Sequence, residues 1–340
     1  MGVSNVAADV AMRPSRKPTA EVAVEMPESE ARRRLELNLF HQYMTETGPS
    51  LAVDDTTVYL WVKAICRLAL KSDALLYAMY AVAALHTEHR SEFKDLEASE
   101  TCRTYLNMAI REHHKDVAEM NSQNIESICL TSSMLRIYGF VRLQGRPQQP
   151  YTPPMDWLRI TGSSTALFRK SYDLIKDNPK SVVYDMIESA SDFLDDRESE
   201  ELRQDLKHLM SREKPHELEE DWESETETAY AGALSLIGGI RKALDTKCPA
   251  RSVGRRVVVF PMMVNKRFAD MVEELRPRAL VILAHYFALL AILNRVWWIG
   301  DAGPREVRAI AAILPGEWQG LLNWPMEVLR QQKATGDNKG

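Results

Sequence analysis

Four groups of residues in this sequence have types and spacings that could support chemistry. His86 and His89 stand three positions apart with Glu88 and Glu92 beside them, so one helical face would offer imidazole and carboxylate donors to a metal ion. The HExxH spacing is missing and Arg90 adjoins the pair, which reads as a polar helix end instead. His113 and His114 are adjacent, point to different sides of a helix and are poorly placed to share an ion. Asp192, Asp195 and Asp196 fall at i, i+3 and i+4, a spacing able to hold magnesium for a diphosphate substrate. No second acidic motif accompanies them and the surrounding run is acidic throughout. The fourth group is His285 among Leu283, Ala284, Tyr286 and Phe287, with Asn294 nine residues later. Buried polar groups of this kind either find hydrogen-bond partners within a core or serve as polar handles in an apolar pocket, and both readings stay open.

Several signatures are missing. There is no Gly-rich phosphate loop, no GxSxG turn and no dinucleotide fingerprint, so neither a cofactor nor a metal is expected. None of the four cysteines, Cys66, Cys102, Cys129 and Cys248, belongs to a CxxC or CxC pair. Cys66 and Cys129 sit on apolar stripes, where a thiol is a small packing group with a raised pKa. Dispersed cysteines and an N-terminus without a secretory signal point to a reduced compartment, nuclear or cytoplasmic.

The elements that must position these residues are helices. Residues 279–299 read ALVILAHYFALLAILNRVWWI, apolar on nearly every side, so this segment is expected to be one long central helix wrapped by others. A membrane span is disfavoured because His285, Asn294 and Arg295 interrupt the run, Pro277 and Gly300 bracket it, and no second segment matches it. Ahead of it, Leu35, Leu39, Phe40, Tyr43 and Met44 form a stripe that should stop at Gly48-Pro49, and Ser72 reads as the cap of a helix through Ala84. The stripe Cys102, Leu106, Ala109, Ile110, His113, Val117 and Met120 precedes a helix from about residue 123 to 143. A Pro-rich break at residues 146–154 then leads into the helix of Trp157. Only Val257 to Phe260 looks strand-like, and one such run makes no sheet. The expected fold class is all-α, a single large helical domain at residues 28–330 around the buried central helix, with a disordered arm at 1–27 and a disordered tail at 331–340.

The formal charge of −5 gives no electrostatic basis for direct nucleic-acid binding. The charge is uneven: residues 192–227 hold 15 acidic and 5 basic side chains, leaving +5 for the remainder. Such a run reads first as a solvated connector.

One resemblance runs along the whole chain. The PRALVILAHYFALL segment, the Trp297-Trp298 pair, Trp318 and the Asn323-Trp324-Pro325 close resemble the C-terminal regulatory region of fungal zinc-cluster transcription factors of the sterol-uptake-control type. Leu39 to Tyr43, Gly48 to Ser50, Trp61, Leu75 to His86, Tyr105 to His113 and Tyr151 to Gly162 look like further parts of that family's pattern, which spans most of Leu35 to Leu329. The resemblance implies an all-helical domain with an apolar cavity for a sterol or similar hydrophobic small molecule, and transcription as its output. Members of the family carry six cysteines of a binuclear zinc cluster, and no cysteine precedes Cys66 here. The expectation is therefore a regulator without its own DNA-binding module that acts through a partner, such as another transcription regulator, or by sequestering a ligand or another regulator. The alternative is a cofactor-independent cyclase that uses the pocket to orient a terpenoid or polyketide. His285, Tyr286, Asn294, Trp297 and Trp157 are the ligand-binding candidates for either, with no catalytic role fixed for any of them.

Overall fold

The computed structural model describes residues 29–52, 55–162, 164–212 and 222–337, which contain helices and no strand. The expected arm at 1–27 lies outside the described residues. α1 (Glu30–Gln42) is capped by Ser29, whose hydroxyl accepts from Arg32 N. Its stripe does not stop at Gly48-Pro49. A π-turn, Tyr43–Thr47, carries the chain into α2 (Gly48–Leu51). The wider turn accommodates the proline ring, which in an α-turn would strike the carbonyl four residues back. It also turns both Tyr43 and Thr47 into the core, where the Tyr43 hydroxyl donates to Trp61 O at 3.1 Å.

α3 (Asp55–Val58), a second π-turn (Tyr59–Ala64) and α4 (Ile65–Ala69) lead to α5 (Asp73–Arg90). Ser72 caps α5 as its sequence indicates, accepting from Leu75 N at 3.3 Å. The many alanines of α5 let it lie close along α6 (Leu96–Ala118), its most extensive helix neighbour. α7 (Ile125–Gly145) crosses both. The Pro-rich segment follows, and Pro153-Pro154 delivers the chain into α8 (Met155–Gly162).

α9 (Ser164–Ile175), α10 (Tyr184–Asp196), a 3₁₀ turn (Gln204–Met210) and α11 (Ser224–Asp245) form the next layer. The strand-like Val257 to Phe260 lies inside a helix, α12 (Ala250–Met263). Its β-branched residues pack on α8, α10 and α11, and this tertiary burial outweighs their local preference for a strand. α13 (Lys266–Glu273) closes on Leu275, which has φ of 57°, before Pro277 opens α14 (Pro277–Ala291).

Helix α14 is the central rod. Every residue from Arg278 to Ala291 is buried, wrapped by α11, α12, α13, α15 (Ala302–Ile313), a 3₁₀ turn (Gly316–Leu322) and α16 (Asn323–Asp337). The rod is shorter than its apolar run. It ends at Ala291 and the chain proceeds through turns to Gly300, with Asn294 and Arg295 exposed. Continuing the helix would carry those two side chains inward, at a desolvation cost the turns avoid. α15 lies unusually near α14 because residue 303 is glycine: a Cβ there would stand 2.6 Å from both Ala291 N and Phe287 O. α16 continues past residue 330, where a disordered tail was expected to begin.

Candidate functional site

The five sequence candidates do not converge on one cavity. His285 is 1% exposed, with its ring stacked on Trp324 at 5.3 Å, and Nε2 lies 3.0 Å from the Leu321 carbonyl. A carbonyl only accepts, so Nε2 carries the proton and the partnerless Nδ1 is a bare lone pair. Burial holds the ring neutral, its pKa lowered to about 4, with the Leu321 hydrogen bond opposing and His208 and Arg241 adding to the effect. Tyr286 is sandwiched between Phe260 (4.1 Å) and Trp157 (5.7 Å), and its hydroxyl donates to Val257 O. Asn294 sits exposed in the turns after the rod. Trp297 lies on another side of the fold, stacked on His86 at 4.4 Å and donating from Nε1 to Ser50 Oγ at 2.9 Å.

The rod's own side chains from Arg278 to Ala291 are all buried. Four clefts among the described residues lie one layer out, and none of the four takes a lining residue from α14. Only Trp157 reaches the largest of them, a cleft of about 850 Å³ between the C-terminal half of α7, the Pro-rich segment and α8. Its far wall is Tyr138, Gly139 and Leu143. The near wall is Pro147, Pro150, Pro153, Pro154 and Met155, and Trp157, 2% exposed, is part of its floor. The floor is rigid because Trp157 packs against Phe140, Tyr286 and Phe287 behind it. The volume lies within the range of small-molecule sites, about 300–1,000 Å³.

Three arginines, Arg142, Arg146 and Arg159, stand around this cleft, and each is neutralised from outside it. Arg142 meets both oxygens of the buried Glu88 at 2.9 Å and lies over the Tyr138 ring. Arg146 pairs with Glu306 at 2.6 Å, and Arg159 pairs with Glu273. Glu306 is wholly buried; burial raises its pKa, opposed chiefly by Arg146 and by the hydrogen bond from Gln148. With its cations engaged, the cleft offers aromatic, prolyl and aliphatic walls and a guanidinium edge able to donate to a carbonyl or hydroxyl.

The other chemical groupings disperse. His86 Nδ1 meets Thr47 Oγ1 at 3.1 Å, Glu88 is taken by Arg142, and His89 Nε2 donates to Gln144 Oε1 at 3.1 Å. Asp196 pairs with Arg256 while Asp195 is exposed. Among the described residues, no cluster of three or more histidine, cysteine or carboxylate side chains could hold a metal ion, and no described helix is long and apolar enough to cross a membrane. Sequence reasoning read residues 146–154 only as a break. Two signals there could have marked a cleft wall: four prolines that cannot fold into a helix, and arginines at 142 and 146, the first in the last turn of α7 and the second just past its end.

Residues 38–138 match the fungal specific transcription factor domain. Two relatives extend the similarity. One is a Zn(2)-C6 fungal-type transcription factor of Gibberella zeae, 26% identical over 320 residues, which covers 87% of this chain and 62% of the relative. The other is the Zn(2)-C6 fungal-type transcription factor afumD of Aspergillus fumigatus, 28% identical over 264 residues, covering 74% of this chain and 66% of the relative. The chain spans less than two thirds of the length of each. By these matches residues 38–138 are similar to the fungal specific transcription factor domain, and most of the chain is similar to part of two Zn(2)-C6 fungal-type transcription factors.

Proposed function

We propose that this chain is a ligand-responsive regulator of transcription in a fungal metabolic pathway. The cleft between α7 and α8 takes a hydrophobic small molecule of sterol, terpenoid or polyketide size, and the output is delivered in the nucleus with another transcription regulator as partner. The observation that carries this reading is the shape and polarity of the cleft: about 850 Å³ over a rigid Trp157 floor, with its arginines already paired. A neutral, mostly apolar ligand with one or two oxygen acceptors suits such walls, whereas a polyanion would have to displace three carboxylates.

The test is calorimetric titration of the purified chain with a panel of sterols, terpenoids and aromatic polyketides, in parallel with Trp157→Ala. A ligand that binds wild type and loses roughly tenfold or more in affinity in the variant supports the reading. If no compound in the panel binds, or if binding is indifferent to Trp157, the cleft is not the ligand site. A cyclase acting in the same cleft draws no comparable support, since the donors expected to serve it, His285 and Tyr286, are held in the core by Leu321 and Val257.

A further inference from the structure

One face of α7 carries Cys129, Ser132, Ser133 and Arg136 at i, i+3, i+4 and i+7, with Cys129 and Ser133 buried and Ser132 and Arg136 half-buried, a polar stripe directed into the layer made by α9, α10 and α12. It borders a half-enclosed cavity of about 50 Å³, separate from the α7/α8 cleft. The other walls are Leu167, Phe168 and Ser171 of α9, Met186 and Ile187 of α10, and Val259 and Met262 of α12. A space of this size is above the roughly 10–15 Å³ needed to hold one water, and it suits a few waters or one group the size of a carboxylate.

Arg136 is the anomaly in this cavity. Its Nη2 donates to Ser133 Oγ at 2.8 Å and its Nη1 lies 3.9 Å from the Met262 sulfur. Its Nε is sealed from solvent without a partner. The three arginines around the α7/α8 cleft, Arg142, Arg146 and Arg159, each have a carboxylate; among the described residues, none pairs with Arg136. The neighbouring titratable groups supply no negative charge. His113, bonded through Nε2 to Ser132 Oγ, is held neutral with its pKa lowered to about 4, chiefly by burial. Burial likewise lifts the Cys129 thiol to about 11, so it stays protonated. Arg136 itself, lowered by burial to about 10, keeps its proton at neutral pH. A lasting positive charge thus faces a small cavity of thioether, phenyl and aliphatic walls.

We infer that this cavity binds the carboxylate of a small apolar acid, with the Arg136 fork gripping the carboxylate, Ser132 and Ser171 within the same walls, and Phe168, Met186, Ile187 and Met262 packing on the acid's hydrocarbon part. Planar guanidinium and planar carboxylate match in shape and charge, and five donors with a single strong partner leave the fork free to take up two oxygens. The site is independent of the reading of the α7/α8 cleft.

The experiment titrates the full chain with formate, acetate and propionate and with the corresponding primary amides, read by calorimetry and thermal unfolding. Binding of the acids but not the amides is expected, with Kd weakened roughly tenfold or more in Arg136→Met. Free of ligand, the same variant should unfold about 2–4 °C above wild type, because it removes an unpaired charge from an apolar setting. Phe168→Ala keeps the charge and enlarges the cavity, so it should shift preference toward the bulkier acids. Trp157→Ala should leave acid binding unchanged, which separates failure here from failure of the cleft reading. Equal binding of acids and amides, unaltered acid binding in Arg136→Met, or a preference unmoved by Phe168→Ala would each overturn the proposal.

Discussion

The Tyr286 hydroxyl donates to the Val257 carbonyl at 3.1 Å, and that carbonyl is the one Pro261 leaves without its helical donor. Pro261 has no N–H to return to residue 257, and its ring pushes the same carbonyl off the helix axis. Both Tyr286 and Val257 are fully buried, so no water can repair the loss. The hydroxyl therefore completes α12 from the side, which explains why an aromatic with a polar tip stands in an otherwise apolar rod. Tyr286→Phe should cost about 1–3 kcal/mol in urea unfolding. Pro261→Ala restores the N–H, so combining the two changes should recover most of that loss. A double-mutant cycle with no coupling between positions 261 and 286 would refute this account.

That pairing also shows which parts of the structure were legible in the sequence. The rod, the Ser72 cap, the α6 and α7 stripes and the entry to α8 follow from periodicity, capping residues and prolines, all of which act within a few residues of one another. The roles of Tyr286 and His285 depend on carbonyls 29 and 36 positions away, at Val257 and Leu321, and no local pattern encodes those meetings. Trp157 was identifiable as an aromatic near a break. Its service as a floor depends on where the loop returns, and Arg136 was passed over because a lone arginine on an apolar face has no distinctive spacing.

Three buried histidines make the fold sensitive to acid. His86, His113 and His285 are each held neutral, with pKa lowered to about 4 mainly by burial. A folded pKa below the unfolded value of about 6.5 means the unfolded chain binds more protons as pH falls. Their contribution is complete above pH 6.5 and is lost as pH drops from there toward 4. Between pH 7.5 and 5.5 the three together should remove roughly 2–4 kcal/mol of unfolding free energy. Urea titrations at the two pH values measure it, and His285→Phe, which retains the stack on Trp324, should lose its share. Equal stability at both pH values would contradict the assignment.

Gly303 sets the distance between α15 and the rod. Alanine there would gain about 1 kcal/mol in helix propensity. Its Cβ would also stand 2.6 Å from backbone atoms of Phe287 and Ala291, which cannot rotate away as a side chain can. The overlap should win, giving a net loss of about 1–3 kcal/mol, the usual cost of overpacking. Thermal unfolding of Gly303→Ala checks the sign directly; a stabilised variant would show that the two helices separate freely.

Glu88 and Arg142 form the ion pair behind the cleft's far wall. Glu88 is 3% exposed, so removing Arg142 strands a buried carboxylate, while removing Glu88 strands a guanidinium that is one-third exposed. Arg142→Met should therefore be the more damaging change, about 3–5 kcal/mol against roughly 2 kcal/mol for Glu88→Leu. Joining the two apolar replacements should restore much of the stability. Urea midpoints of the two single variants and the pair decide it, and additive losses would mean the ion pair carries no coupling.

The near wall of the cleft is fastened by Glu306 of α15. Its Oε1 accepts from Arg146 at 2.6 Å and from Gln148 at 3.1 Å, while the Arg305 guanidinium donates to Arg146 O at 2.9 Å. Proline backbone supplies few donors of its own, so these side-chain bonds are what hold residues 146–152 against the body. Glu306→Ala should release that segment while leaving the rod intact. Faster proteinase K cleavage within residues 147–152 and faster amide exchange at Gln148 and Gln149 are expected, with unchanged exchange in α14. The same variant should weaken any ligand that depends on Trp157, because the wall facing that floor no longer stays in place. Loosening of the segment without loss of such a ligand would place the bound molecule against α7 alone, and slower exchange at α14 would show that Glu306 strains the body instead of fastening the wall.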